Sequence, residues 1–217
     1  MDQSKILVAS CEPFILPGIL PTLGNPTMKA ELSSNGISSK IFYPSIRFFS
    51  KNKIQNNKFI LDAIDNIPLQ FSEFLFSNEK ILESINYIIR TIAPSVIEES
   101  VGFTDLKKQL INLHSSAHII LQEIVEQIIE LNPRIICHSF TFGDYNFASA
   151  LLNSIKKSIP NIIVIAGGSN CTPEFSEKLI SLIPEIDYVI CDETYDTTVA
   201  LIKHLLFGSS LSENIKR

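Results

Sequence analysis

The sequence predicts an α/β fold, a five-stranded parallel flavodoxin-like (Rossmann-like) sheet of order 2-1-3-4-5 with helices on both faces. Three observations lead there. Short apolar runs alternate with helical patterns, and crossovers of one hand favour that strand order. The runs are almost uninterrupted in Ile and Val, as strands covered on both faces must be. The 217 residues suit one domain, 45% hydrophobic and 19% charged, with enough chain to bury a sizeable core.

"KILVAS" (5–10) is the first strand. The Pro- and Gly-rich stretch Glu12 to Pro26 reads as a loop, and "TMKAELSSNG" from Thr27 as a helix stopped by Gly36. "SSKIFYP" (38–44) is the second strand. Residues 45 to about 113 break the rhythm and are read as a helical insertion. In it "FSEFLFSN" and "EKILESINYIIRTIA" look helical, the second ended by Pro94. Helical spacing then runs almost continuously to Leu131, with Ser116 to Leu131 leading into the third strand. Regular alternation follows: strand 134–139, helix 145–158, strand 161–168, helix 172–183 with Pro173 in its first turn, strand 187–191, and helix 196–208 stopped by Gly208. The domain is thus expected over 1–208, with a polar tail at 209–217.

The net charge of −5 argues against a nucleic-acid surface, since only "RFFSKNK" (47–53) and "SIKKS" (154–158) group positive charge. Glu12 and the prolines interrupt the first apolar run, so no signal peptide is read there. No stretch has the roughly 18 apolar residues of a membrane helix. No membrane association and a cytoplasmic location are the expectations. The four cysteines, Cys11, Cys137, Cys171 and Cys191, show no C-x-x-C spacing and suggest neither a disulfide framework nor a zinc site. On the expected strand order Cys11 and Cys191 stand three strands apart, about 14 Å.

In an open parallel sheet ligands bind beyond the carboxyl ends of the strands. That rule selects Ser10 to Pro13, Ser139 to Asp144, Gly167 to Cys171, and Cys191 to Asp196. Gly167 and Gly168 let a flat ligand approach backbone, or merely make a turn; Ser169 and Asn170 add hydrogen-bonding groups. Ser139 and Thr141 offer hydroxyls between Phe140 and Phe142, or belong to a strand end and core. No G-x-S-x-G pattern surrounds Ser139, so it is not read as a nucleophile. His138 reads as a core or interface residue. His114 and His118 have a metal-binding spacing without a third ligand in view. Asp192, Glu193 and Asp196 favour the start of a helix, and Glu193 also faces the rim.

"PTLGNPTMKAELSSNGISSKIFYPSIRF", "FSEFLFS", "ICHSFTFGDYNFASALLNSIKKSIPNIIVIAGGSNC" and "IPEIDYVICDETYDTTVALI" together resemble the amino-terminal cobalamin-binding domain of radical SAM enzymes. The branch resembled matures ribosomal peptides and includes C-methyltransferases. "IAGGSNC" is similar to that branch's glycine-glycine-x-Asn-Cys segment, beside a Ser-x-x-Phe loop matched by Ser139 and Phe142. The resemblance implies cobalamin as cofactor, held by Ser139, Phe140, Thr141, Phe142, Gly143, Gly167, Gly168, Ser169, Asn170 and Glu193. It also implies a radical SAM enzyme and a ribosomal precursor peptide as partners. Several features depart from the family. The cluster-binding C-x-x-x-C-x-x-C is absent, so this chain is not expected to start radical chemistry itself. "CDET" replaces a Gly-Glu-Gly loop, with Cys191 and Thr194 in the glycine places. The loop from Ser139 to Ser149 is one residue longer, and Asp-x-His-x-x-Gly is missing. Two functions are therefore expected: a stand-alone cobalamin-binding-like accessory subunit, or a degenerate scaffold that has lost the cofactor. The scaffold would bind a peptide or partner through aromatic anchors in "IRFF" and "FSEFLF".

Overall fold

Five strands pair in parallel in the order β2-β1-β3-β4-β5. A computed structural model describes residues 5–14, 23–77, 81–96, 103–141, 144–191 and 195–210. The strands are β1 (Val8–Cys11), β2 (Ser39–Phe42), β3 (Ile135–Ser139), β4 (Ile163–Gly167) and β5 (Tyr188–Val189). Pairing of Cys11 with His138 and of Ser139 with Gly167 lines up the carboxyl ends at one edge of the sheet. The expected strand order is therefore the observed one.

Alternation along the strands assigns the two faces. Val8, Ile135, Cys137 and Ile165 meet α1 (Gly24–Ser34) and α9 (Tyr195–Phe207). Ala9, Cys11, Ile136, Val164 and Ala166 face the other way. They pack with α6 (Phe103–Leu131), α7 (Tyr145–Ser158) and α8 (Pro173–Leu182). In α7 the buried Phe147, Ala148, Leu151, Leu152 and Ile155 make one apolar stripe, and Lys156 and Lys157 complement the dipole in the last turn.

The insertion holds more helix than the sequence reading found. Four elements precede α5: α2 (Pro44–Asn52), a 3-10 turn at Ile54–Asn56, α3 (Lys58–Asn66) and α4 (Pro68–Phe76). Pro44 and Pro68 stand at the first turns of their helices, where a missing N–H costs nothing. α5 (Ile81–Val96) continues through Pro94, which lies in its last turn and does not end it. α1 likewise starts at Gly24, three residues before the expected Thr27, with Pro26 in its first turn.

Phe48, Phe49, Phe71, Phe74 and Phe76 are buried, so they are core and not the exposed anchors expected for a partner. Phe14, just past β1, joins this cluster to the sheet. Its ring lies 4.6 Å from Phe76, 5.3 Å from Phe48 and 5.5 Å from Phe147. Insertion and sheet therefore share one core.

His114 and His118 lie side by side on α6 with ring centroids 4.6 Å apart and planes tilted by 42°. Nε2 of His114 lies 2.9 Å from the Ser77 carbonyl, while the buried Nε2 of His118 has no hydrogen-bond partner. Burial, and then His114, push the His118 pKa below 6.5. The unfolded imidazole keeps its ordinary value, so its proton uptake favours unfolding. This contribution is intact above about pH 6.5 and erodes as pH falls below it. In denaturant titrations His118→Leu is expected to show a smaller fall in stability between about pH 7 and 5.5 than the parent. An unchanged decline would exclude His118 as its source.

Candidate functional site

The strand order reverses direction between β1 and β3, which places the ligand crevice beyond their carboxyl ends. Beside that point, α1, α9 and the carboxyl ends of β3, β4 and β5 border a cavity of about 390 Å3, at the lower end of the ~300–1,000 Å3 usual for small-molecule sites. Gly24, Asn25 and Met28 of α1 form one wall, and Tyr195 and Thr198 of α9 another. Ile165 and Ile190 supply apolar surface, with Cys137 from the middle of β3 and Cys191 just past β5. The described lining contains no Lys, Arg, Asp or Glu, so the cavity suits an uncharged group with hydrogen-bonding edges.

Of the residues expected at the site, Ser139, Gly167, Gly168 and Ser169 line this cavity. Phe140 is fully buried and packs edge-on against His138, with centroids 4.7 Å apart. The hydroxyl of Thr141 is buried without a partner. Asn170 is turned to α7, where its side-chain amide donates to Tyr145 Oη at 3.1 Å. Phe142, Gly143 and Glu193 lie outside the described residues.

The two glycines differ. Gly167 stands on the same face of β4 as Ile163 and Ile165, toward α1 and α9, and a Cβ there would meet nothing within 4 Å. It keeps the cavity open. Gly168 has φ of +106°, and a Cβ would fall 2.6 Å from the Phe140 carbonyl oxygen and 2.9 Å from Ser139 Oγ. It permits close approach of two rim loops. Those loops are laced by Phe140 N–H donating to the Gly167 carbonyl at 2.6 Å and by Asn170 N–H donating to the Phe140 carbonyl at 3.3 Å.

Beneath the rim, Asp144 joins two more segments. One carboxylate oxygen accepts from the Phe14 N–H at 2.7 Å, and the other lies 2.5 Å from His138 Nε2. Both side chains are fully buried, and Nδ1 of His138 has no partner. Burial raises the Asp144 pKa above its usual range, outweighing the opposite pull of His138 and the Phe14 N–H. Burial also pushes the Cys137 and Cys171 thiols up to about 12, with Cys191 adding to the effect at Cys171. Cys11 is raised well above its ordinary value by burial, then by Asp144 and Glu12. These three thiols stay protonated near neutral pH and are poor nucleophiles and metal ligands. No group of three or more His, Cys, Asp or Glu suited to a metal is found among the described residues. No described helix is long and apolar enough to cross a membrane.

A larger groove of about 830 Å3 follows β5 and α8, from Asn161 and Ile162 before β4 to Cys191 after β5. Two of its charged groups pair: Lys156 Nζ lies 2.8 Å from Asp187 Oδ2, which also accepts from the Val164 N–H at 2.7 Å. Those contacts secure the edge strand, and the rim cavity is the better candidate.

Asn25, Met28, Tyr195 and Thr198 are missed when the sequence is read alone. Asn25, Met28 and Leu32 are all buried on one face of α1, a helical spacing hidden once Gly24 to Pro26 is taken as loop. Comparison with protein-family models, curated proteins and solved structures gives no match to this chain.

Proposed function

We propose that this chain binds a corrinoid, cobalamin or a close analogue, across the carboxyl rim of its sheet. It acts as an accessory subunit to a separate radical SAM enzyme working on a ribosomal precursor peptide. The observation that carries this proposal is the cavity between α1, α9 and the sheet, kept open by Gly167 at the end of β4. Its described lining, mixed polar and apolar without Lys, Arg, Asp or Glu, fits the terminal base of such a ligand. Ser139, Gly167 and Ser169 border the base, while Gly168 and Asp144 hold the rim loops in place. A bound corrinoid supplies one-carbon transfer chemistry at cobalt. The chain's own part is to hold and orient it.

Gly167→Phe tests this. A Cβ at this position meets nothing within 4 Å and the ring is expected to extend into the cavity, so the melting temperature is expected to stay within about 3 °C of the parent. The parent is expected to retain hydroxocobalamin colour through desalting and the variant to lose it. Equal retention by both proteins would remove the cavity from the binding site.

A second reading is favoured by one observation. Cys191 lines the cavity at a position where the resembled family has glycine. In a domain that has lost its cofactor, that side chain stands in the ligand's path. A colourless parent together with a coloured Cys191→Gly variant would establish this second reading.

A further inference from the structure

Two described side chains of this cavity, Asn25 and His138, are buried and polar with an unpartnered nitrogen. His138 is already engaged by Asp144 through Nε2, which leaves Asn25 as the one without a side-chain partner among the described residues. It sits in the first turn of α1, only 5% exposed, and its Nδ2 has no hydrogen-bond partner. Burying an amide without a partner is costly, and turning it to an acceptor held in the cavity would recover that cost. Met28 on the next turn and Ile165 and Ile190 across the cavity are apolar, so they hold any flat ring without choosing its edge. Hydroxyls of Ser139, Ser169, Thr172, Thr198 and Tyr195 also line the cavity, but Asn25 alone among these offers an amide, a donor and an acceptor side by side.

We infer that Asn25 sets the specificity of the cavity and that it selects a purine, adenine above all, over a benzimidazole. This rests on the proposal that the cavity receives the terminal base of a corrinoid, and it names that base. An adenine edge carries a ring nitrogen acceptor beside an amino donor, and a carboxamide meets both at once. Dimethylbenzimidazole has a carbocyclic ring with methyl groups in that region, so Asn25 would stay unpaired against it. A site built around a hydrogen bond discriminates against the analogue that cannot make it. No bond is made or broken; the inference concerns affinity alone.

The test compares four probes by calorimetry: an adenine-based cobamide, dimethylbenzimidazolyl cobalamin, base-free cobinamide and free adenosine. The adenine form is expected to bind about five- to tenfold more tightly than the dimethylbenzimidazolyl form, the worth of one or two neutral hydrogen bonds. Asn25→Leu and Asn25→Ala, one keeping the volume and one truncating it, are both expected to abolish that preference. Melting curves of the variants verify that they fold. Equal affinity for both cobamides, or a preference that survives in either folded variant, overturns the inference while leaving corrinoid binding in place. If no corrinoid binds but adenosine binds and Asn25→Leu loses it, the purine inference stands and the corrinoid proposal falls. If neither corrinoid nor adenosine binds, both fall.

Discussion

Gly168→Ala is expected to destabilise the fold by about 3–5 kcal/mol, combining backbone strain with overpacking. At φ of +106° an L side chain is strained whatever the space around it. The space is also missing: the Cβ would lie 2.6 Å from the Phe140 carbonyl oxygen and 3.0 Å from the Phe140 backbone nitrogen. Backbone cannot swing aside as a flexible side chain can, so the 139–141 and 167–171 loops must separate. Phe140 itself is fully buried, and its shift would reach His138 and the core below. The neighbouring glycine is the control. Gly167→Ala meets no atom within 4 Å and is expected to change stability by about 0.5 kcal/mol or less. Denaturant titrations of the two variants give the comparison. Equal and small losses would show that the turn at Gly168 tolerates a side chain and that the rim is not fixed there.

Asp144→Ala is the second large effect, a loss of about 3 kcal/mol from two buried groups left unpaired. The Phe14 N–H would lose its acceptor. His138, whose Nδ1 already lacks a partner, would lose its Nε2 contact as well. Phe14 packs against Phe48, Phe76 and Phe147, so loosening it reaches both insertion and sheet. Asp144→Asn keeps an acceptor for Phe14 and presents an amide to His138, and is expected to cost about 1 kcal/mol. The two variants also separate by pH. A carboxyl whose folded pKa is raised binds its proton more readily in the native state than in the unfolded one. Its contribution to stability is therefore full below about pH 3.9 and is lost as pH rises through the folded value. The stability of the parent relative to Asp144→Asn is expected to fall over that window and then level off. A difference that grows with rising pH would contradict the assignment of burial as the dominant influence on Asp144.

The parts of the fold legible in the sequence are those where one physical signal acts alone. The helix read at 145–158 is found at Tyr145–Ser158, because its stripe of Phe147, Leu151 and Ile155 needs no context to be seen. The strand read at 187–191 pairs only over Tyr188–Val189. An apolar run records burial, but ladder length depends on how far β4 offers partners. In the insertion, proline was the misleading residue. Pro44 and Pro68 open helices, and Pro94 sits inside the last turn of one. A proline marks a helix boundary without saying on which side the helix lies.

The site was legible in part for a related reason. The Gly167–Gly168 pair and Ser139 lie at strand ends, which the element order alone locates. That one glycine keeps space open while the other admits backbone is a matter of φ and neighbours, and the letters are the same. Asn25 and Tyr195 line one cavity from opposite ends of the chain, a proximity only the assembled sheet creates. The helical start that points Asn25 inward was masked by the Gly-Asn-Pro triplet, whose residues are commonest in turns.

The most direct test of corrinoid binding at this cavity uses its methionine. The chain has only two, Met1 and Met28, and Met28 lies in the cavity wall. With carbon-13 in the methionine methyl groups, titration with hydroxocobalamin is expected to move the Met28 resonance to saturation at one equivalent. The same titration of Gly167→Phe should leave it in place. A Met28 resonance that stays unmoved in the parent, with the melting temperature unchanged, would contradict the corrinoid proposal.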